Sequence, residues 1–442
     1  MTGETGGDYL ESAAGAPGPP ARFLPLAVLI GTGLFVTGLG WPGLIGRLPF
    51  GLLLKNDLGL PAEKVAWFWA MGTLAWYVKP LVGLLCDSWP IFGTRRRGYL
   101  LLGTVAASLA WLSFAVLPRR YGVWMIIMTV LNLGLVVVSV AVGGMLVEEG
   151  QRRGATGRLS ALRSALEGAM SLVAGPVGGL LAVMPFAVTA GLGAAIVGSM
   201  LPVTLLLHRE PRAPAGANRA VWTEAKTALE RIRRSRPMWT TSLLLFLVYL
   251  APGLQTPLLY YQQDVLKLDA RFMGLLQLAG GAGVLVGAAI YTWLCRRLPL
   301  RTTLVAGIVM NAATALLYLG YRSAGAALAI EITVGLVGSI ATLPLYDLAA
   351  RATPRGSESF AYALMMSVRN VSLFVISDPL GSMLYGRYHL GFDKLILVNA
   401  GSTLAVLLFV PLLPRALLDR REGGQASAGG EGAPHGPATT DA

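Results

Sequence analysis

Charge is what this chain has least of. Only 13% of its 442 residues are Asp, Glu, Lys or Arg, while 54% are apolar; a soluble domain carries roughly 25% charged residues. Water is therefore not its main solvent. Cysteine is nearly missing: Cys86 and Cys295 are the only two, both at the ends of apolar runs. They are expected to be packing residues, not a disulfide framework. The three histidines, His208, His389 and His435, lie in polar connections or tails, so no imidazole stands inside an apolar run. There is no Gly-x-Ser-x-Gly elbow, no Cys or His pair at metal spacing and no phosphate loop ending in Gly-Lys-Ser/Thr. These absences remove the usual hydrolase, metal and ATP-driven chemistries. No enzyme activity and no cofactor are expected.

What is present fits a lipid solvent. Fifty-five glycines stand among Leu, Val and Ala runs, where small residues let helices pack backbone to backbone. The net charge of +13 is concentrated in short clusters between apolar runs, such as Arg95-Arg96-Arg97, Arg152-Arg153 and Arg296-Arg297. No basic soluble domain exists to hold nucleic acid, so the bilayer is the partner this balance implies.

A membrane crossing takes about twenty largely apolar residues, and twelve such runs are found. They begin near Phe23, Val65, Tyr99, Val123, Leu159 and Phe186, then near Trp239, Phe272, Thr302, Ala324, Phe360 and Leu395. Lys and Arg concentrate in alternate connections, which places both termini in the cytosol. The expected organisation is a cytosolic lead over 1–22, a six-helix half over 23–207, a basic linker over 208–237, a second half over 238–414 and a tail over 415–442. The lead carries Glu4, Asp8 and Glu11 and lacks the basic start of a signal peptide. In the linker, Trp222, Ala225, Leu229 and Ile232 recur at helical spacing beside Arg231, Arg233 and Arg234. That pattern suits either an interfacial helix or a solvated basic linker.

The halves read as repeats. Gly83, Asp87 and the following Arg cluster are echoed by Gly287, Tyr291 and Arg296-Arg297; Gly175-Pro176 and Gly179 are echoed by Asp378-Pro379-Leu-Gly381. The expected fold class is an all-α polytopic membrane protein with twelve transmembrane helices in two six-helix pseudo-repeats. Such repeats place a substrate site at their interface near the midplane.

Charges within spans are the informative residues, because a midplane charge costs at least about 2.5–3.5 kcal/mol. Lys79, Glu167 and Arg369 all fall near the middle of their runs. Two readings stand beside each other: Lys79 and Arg369 draw an anionic substrate into a central cavity, with Glu167 pairing or taking a proton, or the three form a structural ion-pair network. Arg163, four residues before Glu167, offers it a local partner. Glu331 and Asp378 lie nearer the external face. Burial favours the neutral, protonated carboxyl, which makes both candidates for proton coupling; gating salt bridges are the alternative.

The stretch Leu74-Ala-Trp-Tyr-Val-Lys-Pro-Leu-Val-Gly-Leu-Leu-Cys-Asp-Ser-Trp-Pro-Ile-Phe-Gly-Thr-Arg-Arg-Arg97 carries Gly83-x-x-x-Asp87 followed by Arg95-Arg96. It resembles the major facilitator loop motif, lengthened by Ser-Trp-Pro-Ile-Phe. That resemblance implies a cytosolic gate formed by Gly83, Asp87, Arg95 and Arg96. The Trp-x-x-Lys-Pro-Leu-x-Gly lead and the Pro-Ile-Phe-Gly-x-Arg-Arg insertion together are similar to the folate-biopterin transporter family. So is Pro354-Arg-Gly-Ser-Glu358 with Tyr362-Ala-Leu-Met-Met-Ser-Val-Arg-Asn370. The resemblance implies proton-linked uptake of a folate- or pterin-like organic anion; a monomeric symporter in the plasma (inner) membrane is expected. The chain departs from the family pattern at Gly143, where an acid is expected, and at Ala75 and Gly98, where prolines are expected. Drug efflux or sugar movement on the same fold, or a non-transporting membrane assembly factor, are the other functions weighed.

Overall fold

A computed structural model of the chain describes residues 23–94, 96–152, 156–208, 210, 217–354 and 358–412. The lead, the tail and Arg95 lie outside the described residues, as do the side chains of Asp87, Arg163, Glu167 and Cys295. The described residues are almost wholly helical. In chain order the first half holds α1 (Phe23–Leu39), α2 (Arg47–Asn56), α3 (Ala62–Gly72), α4 (Lys79–Ser88), α5 (Arg97–Val116), α6 (Tyr121–Arg152), α7 (Thr156–Leu181), α8 (Phe186–Gly198) and α9 (Met200–Leu207). After α10 (Ala217–Arg234) in the linker come α11 (Arg236–Val248), α12 (Gln255–Asp264), α13 (Ala270–Arg297), α14 (Leu300–Leu317), α15 (Ala324–Arg351), α16 (Glu358–Asn370), α17 (Asp378–Gly386) and α18 (Phe392–Ala405).

Among the described residues, eight helical stretches are long and apolar enough to cross a membrane: those starting at Arg97, Tyr121, Phe186, Ala270, Leu300, Ala324, Phe360 and Phe392. The other expected spans are shorter or broken, and proline explains the breaks. Proline has no N–H, and its ring clashes with the carbonyl four residues back. Pro80 thus restarts the second span at Lys79, after a break over Thr73–Val78. The first span breaks at Trp41-Pro42-Gly43, between α1 and α2. Its counterpart breaks at Pro252-Gly253, between α11 and α12. The eleventh run, long enough to cross, is irregular too: Pro379 opens α17 after a π-helical stretch, Val371–Ser377. Such π-turns are a common way to absorb one residue too many and recur at functional sites. Lys79 and Asp378 each stand immediately before a helix-restarting proline.

Each half has its own core. In the first, Phe50 meets Phe114, Phe186, Trp111 and Trp124 at centroid distances of 4.8–5.8 Å, and Trp111 and Trp124 are fully buried. The second half packs Met238, Leu244, Leu304, Leu348 and Met365. The outside stays apolar: Val116, Ile126, Leu206 and Leu408 are exposed, which is costly in water and neutral in lipid. The halves meet where α7 crosses α13. A Cβ on Gly175 would stand 2.6 Å from the Gly274 carbonyl oxygen, and one on Gly274 would stand 2.5 Å from that of Gly175. Only glycine permits this backbone approach.

At the end of the bundle opposite Phe23, called here the far end, the halves are bonded directly. Lys55 at the end of α2 reaches Asp264 (2.5 Å) and Gln263 (2.9 Å) of α12. Tyr260 donates to the Leu60 carbonyl.

Candidate functional site

Two cavities lie between the halves. The larger, about 480 Å³, is lined by Thr37, Trp76, Lys79, Ser139, Gly143 and, from the second half, Tyr362. Lys79 donates to Ser139 Oγ at 2.8 Å, and its ammonium lies 5.2 Å from the Trp76 ring centroid. The wall behind it is fixed by Asn132 of α6, which is fully buried. Its Oδ1 accepts from both Trp76 Nε1 (2.7 Å) and Trp41 Nε1 (3.1 Å), while its amide donates to the Met128 carbonyl. Gly143, where the family resemblance leads one to expect an acid, lines this same cavity, and a Cβ there would meet nothing within 4 Å.

The second cavity, about 310 Å³, lies toward the far end. Its walls include Arg47 and Trp69 from the first half and Gln255, Gln262, Gln277 and Glu331 from the second. Arg47 donates to Gln255 Oε1 at 3.3 Å, and its guanidinium lies 4.6 Å from the centroid of the buried Trp69 ring. Glu331 Oε1 accepts from the Tyr321 hydroxyl at 3.1 Å, and that hydroxyl accepts from Gln262 Nε2 at 2.7 Å.

Asp378 is 3% exposed. Its carboxylate accepts from the Thr256 backbone N–H (3.0 Å) and hydroxyl (2.7 Å). It thus caps the start of α12, whose first N–H groups have no partner within their own helix. Arg369 stands apart from both cavity walls. Its guanidinium lies 4.4 Å from the Tyr249 ring centroid and 5.6 Å from that of Tyr346, and it donates to Asn370 Oδ1. Its Nε is buried without a hydrogen-bond partner. The structure therefore brings Lys79 and Glu331 to two different cavities, places Asp378 on the wall of a third of about 260 Å³ within the second half, and leaves Arg369 in the packing.

Of the gate residues, Gly83 packs on Val140 at ordinary contact distance. Arg96 donates from Nη1 to the Ala141 carbonyl at 3.1 Å, its guanidinium lying where any side chain on Gly144 would be. The inserted loop turns through Phe92 and Gly93, both at positive φ (53° and 72°). Gly98 must lack a side chain because a Cβ would stand 2.6 Å from the Ile91 carbonyl oxygen.

Sequence reasoning did not find Glu210. Its carboxylate accepts from the backbone N–H groups of Arg96 (3.0 Å) and Arg97 (2.8 Å), capping α5 from the far side of the half. Burial pushes this carboxyl up. The bond to His208 and the two N–H groups outweigh that and bring it from 4.5 down to about 2. A carboxyl lowered on folding contributes stability that is present above its ordinary value and lost as pH falls through the folded one. Acid unfolding between about pH 4.5 and 2 is therefore expected to soften in Glu210→Gln. Melting temperatures of the two proteins across that range check it. Arg47 was also missed: nothing local shows that α2 carries it between the halves.

A helical membrane bundle of two similar halves, with cavities between them and cations on the cavity walls, is the design of a major facilitator transporter. The solved structures agree on the fold. A D-xylose-proton symporter superposes with a TM-score of 0.66 at 14% identity, covering 89% of this chain and 98% of that one. The nucleoside transporter NupG gives 0.65 at 12%, covering 88% and 98%. The family model described as BT1 family matches residues 43–427, and the chain belongs to that family. It is 28% identical over 440 residues to the folate-biopterin transporter of Synechocystis sp., covering 90% of this chain and 85% of that protein. It is 24% identical over 386 residues to folate transporter 2 of Plasmodium falciparum, covering 82% and 83%. It is thus a multi-pass membrane transporter and not an enzyme.

Proposed function

We propose that the protein takes up a folate- or pterin-like, or other small organic, anion by alternating access, driven by protons. The observation that carries this reading is the Lys79 cavity: a cation from the first half faces Tyr362 of the second across a space large enough for a ligand. Lys79 is the substrate cation, and Arg369, buried over two tyrosines, is the second source of positive potential. Glu167 is assigned to the same site, pairing with a cation or taking a proton. Glu331 and Asp378 are the coupling carboxylates. The names of the relatives support the cargo class.

In this reading the chain lies in the plasma (inner) membrane as a monomer, with both termini cytosolic. The Lys55–Asp264 and Arg47–Gln255 contacts close the external side, and Gly83, Asp87, Arg95 and Arg96 close the cytosolic side when the halves rock the other way.

The test is uptake of labelled folate, pterin and a panel of organic anions into proteoliposomes, with and without an inward proton gradient. Accumulation of a folate or pterin that the gradient stimulates is expected. A folded protein that accumulates none of these compounds overturns the proposal, and a neutral sugar or lipophilic drug moved in their place redirects it.

A further inference from the structure

The geometry points to the far-end cavity as a recognition site for a flat 2-amino-4-oxo heterocycle, with Glu331 accepting the ring's paired N–H donors and Arg47 facing the opposite ring edge. This rests on the pterin-class reading above and deepens it, because that reading assigns Glu331 to protons and gives Arg47 no contact with cargo.

The argument starts from what the cavity walls offer. Among the described residues Glu331 makes a single hydrogen bond, through Oε1, and its side chain lines the cavity. The relay from Gln262 through Tyr321 fixes the carboxylate, since Tyr321 is fully buried and Gln262 is 8% exposed. Arg47 comes from the other half. It is held by Trp69 on one side and Gln255 on the other, and forms no ion pair with a carboxylate among the described residues. A fixed anion and a fixed cation thus line one cavity of about 310 Å³ without bonding to each other. That volume is at the small end for ligand pockets, about 300–1,000 Å³, and suits a ring more than a long chain.

A ligand satisfying both walls must present two parallel N–H donors at one edge and acceptors at the other. An ionised carboxylate is an acceptor-only group that takes two parallel donors side by side. The N3–H and 2-amino group of a pterin are such a pair. The pyrazine nitrogens and substituent oxygens of the opposite edge suit the five N–H donors of a guanidinium. Gln277, exposed into the cavity, supplies a further donor and acceptor. Replacing the 2-amino group by oxygen turns a donor into an acceptor facing the carboxylate. Sites built on such a bond reject the mismatched analogue strongly.

The test is equilibrium binding of pterin and of its 2,4-dioxo analogue lumazine to the full-length protein in lipid nanodiscs. The wild-type protein is expected to prefer pterin by about 10²-fold. Glu331→Gln presents one acceptor and one donor, which matches N3–H and a 2-oxo group, and is expected to reverse the preference. Retained lumazine binding also shows that this variant is folded. Arg47→Gln is expected to weaken both ligands alike and leave the preference unchanged. Equal wild-type affinities overturn the inference while leaving the transport reading intact. So does a Glu331→Gln protein of unchanged melting temperature that loses both ligands equally. A wild-type protein that binds neither pterin nor folate overturns the inference together with the pterin-class reading it rests on.

Discussion

Lys79→Ala is expected to lower the uptake efficiency of carboxylated substrates by about 10²-fold, with a smaller loss for neutral pterins. Hydrogen bonds to charged groups contribute about 1.5–3 kcal/mol, and each 1.4 kcal/mol is a factor of ten. The upper part of that range is taken because the ammonium is partly buried in a cavity between the halves, where charge interactions are stronger than in bulk water. Two features localise the effect. Lys79 is held by Ser139 and the Trp76 ring, so its position is set before substrate arrives. Gly143 opens onto the same cavity with space beyond its Cα, so Gly143→Asp adds a carboxylate there without a clash. Placed beside Lys79, that acid is expected to reduce anion uptake in the same direction. The concentration dependence of uptake for folate and for a neutral pterin, in both variants, measures this. Unchanged folate uptake in Lys79→Ala, from protein of unchanged melting temperature, removes Lys79 from the substrate path.

Asp378 is expected to separate stability from coupling. In Asp378→Ala the Thr256 N–H and hydroxyl lose their acceptor in a buried place, at a cost of about 1–3 kcal/mol for each group left unpaired. The start of α12 should loosen and the protein should melt well below the wild type. Asp378→Asn keeps an acceptor oxygen at the cap and should retain most of that stability. Asparagine, however, cannot exchange a proton, so uptake by this variant should proceed down a substrate gradient and ignore the proton gradient. If Asp378 carries the coupled proton, protonation weakens the bonds that tie α17 to α12. Melting curves and gradient-stimulated uptake, read on both variants, check this. Gradient stimulation that persists in Asp378→Asn confines Asp378 to capping and leaves Glu331 as the coupling carboxylate.

Helix placement was largely legible, because a membrane span announces itself by length and hydropathy alone. Helices begin at Ala62, Arg97, Tyr121, Ala270 and Phe392, each at the edge of an apolar run. The breaks at Pro42, Pro80 and Pro252, and the restart at Pro379, were not expected from apolar runs read as continuous spans; they emerge only when the interrupted helices are seen. The loop with Gly83 and Arg96 was legible as a motif.

The site was far less so. Arg47 looks like a loop cation until α2 turns it inward beneath Trp69. That Asp378 also holds Thr256, more than a hundred residues away in the chain, is seen only in the fold. Glu210 has no local signal at all. Composition and hydropathy determined a multi-pass helical bundle in two halves, because the cost of exposing backbone polar groups to lipid leaves few alternatives to helices. Tertiary structure decided which charges share a cavity. These helices are apolar on nearly every face, so hydrophobic periodicity does not say which side of each points inward, and only packing against the neighbouring helices chooses it.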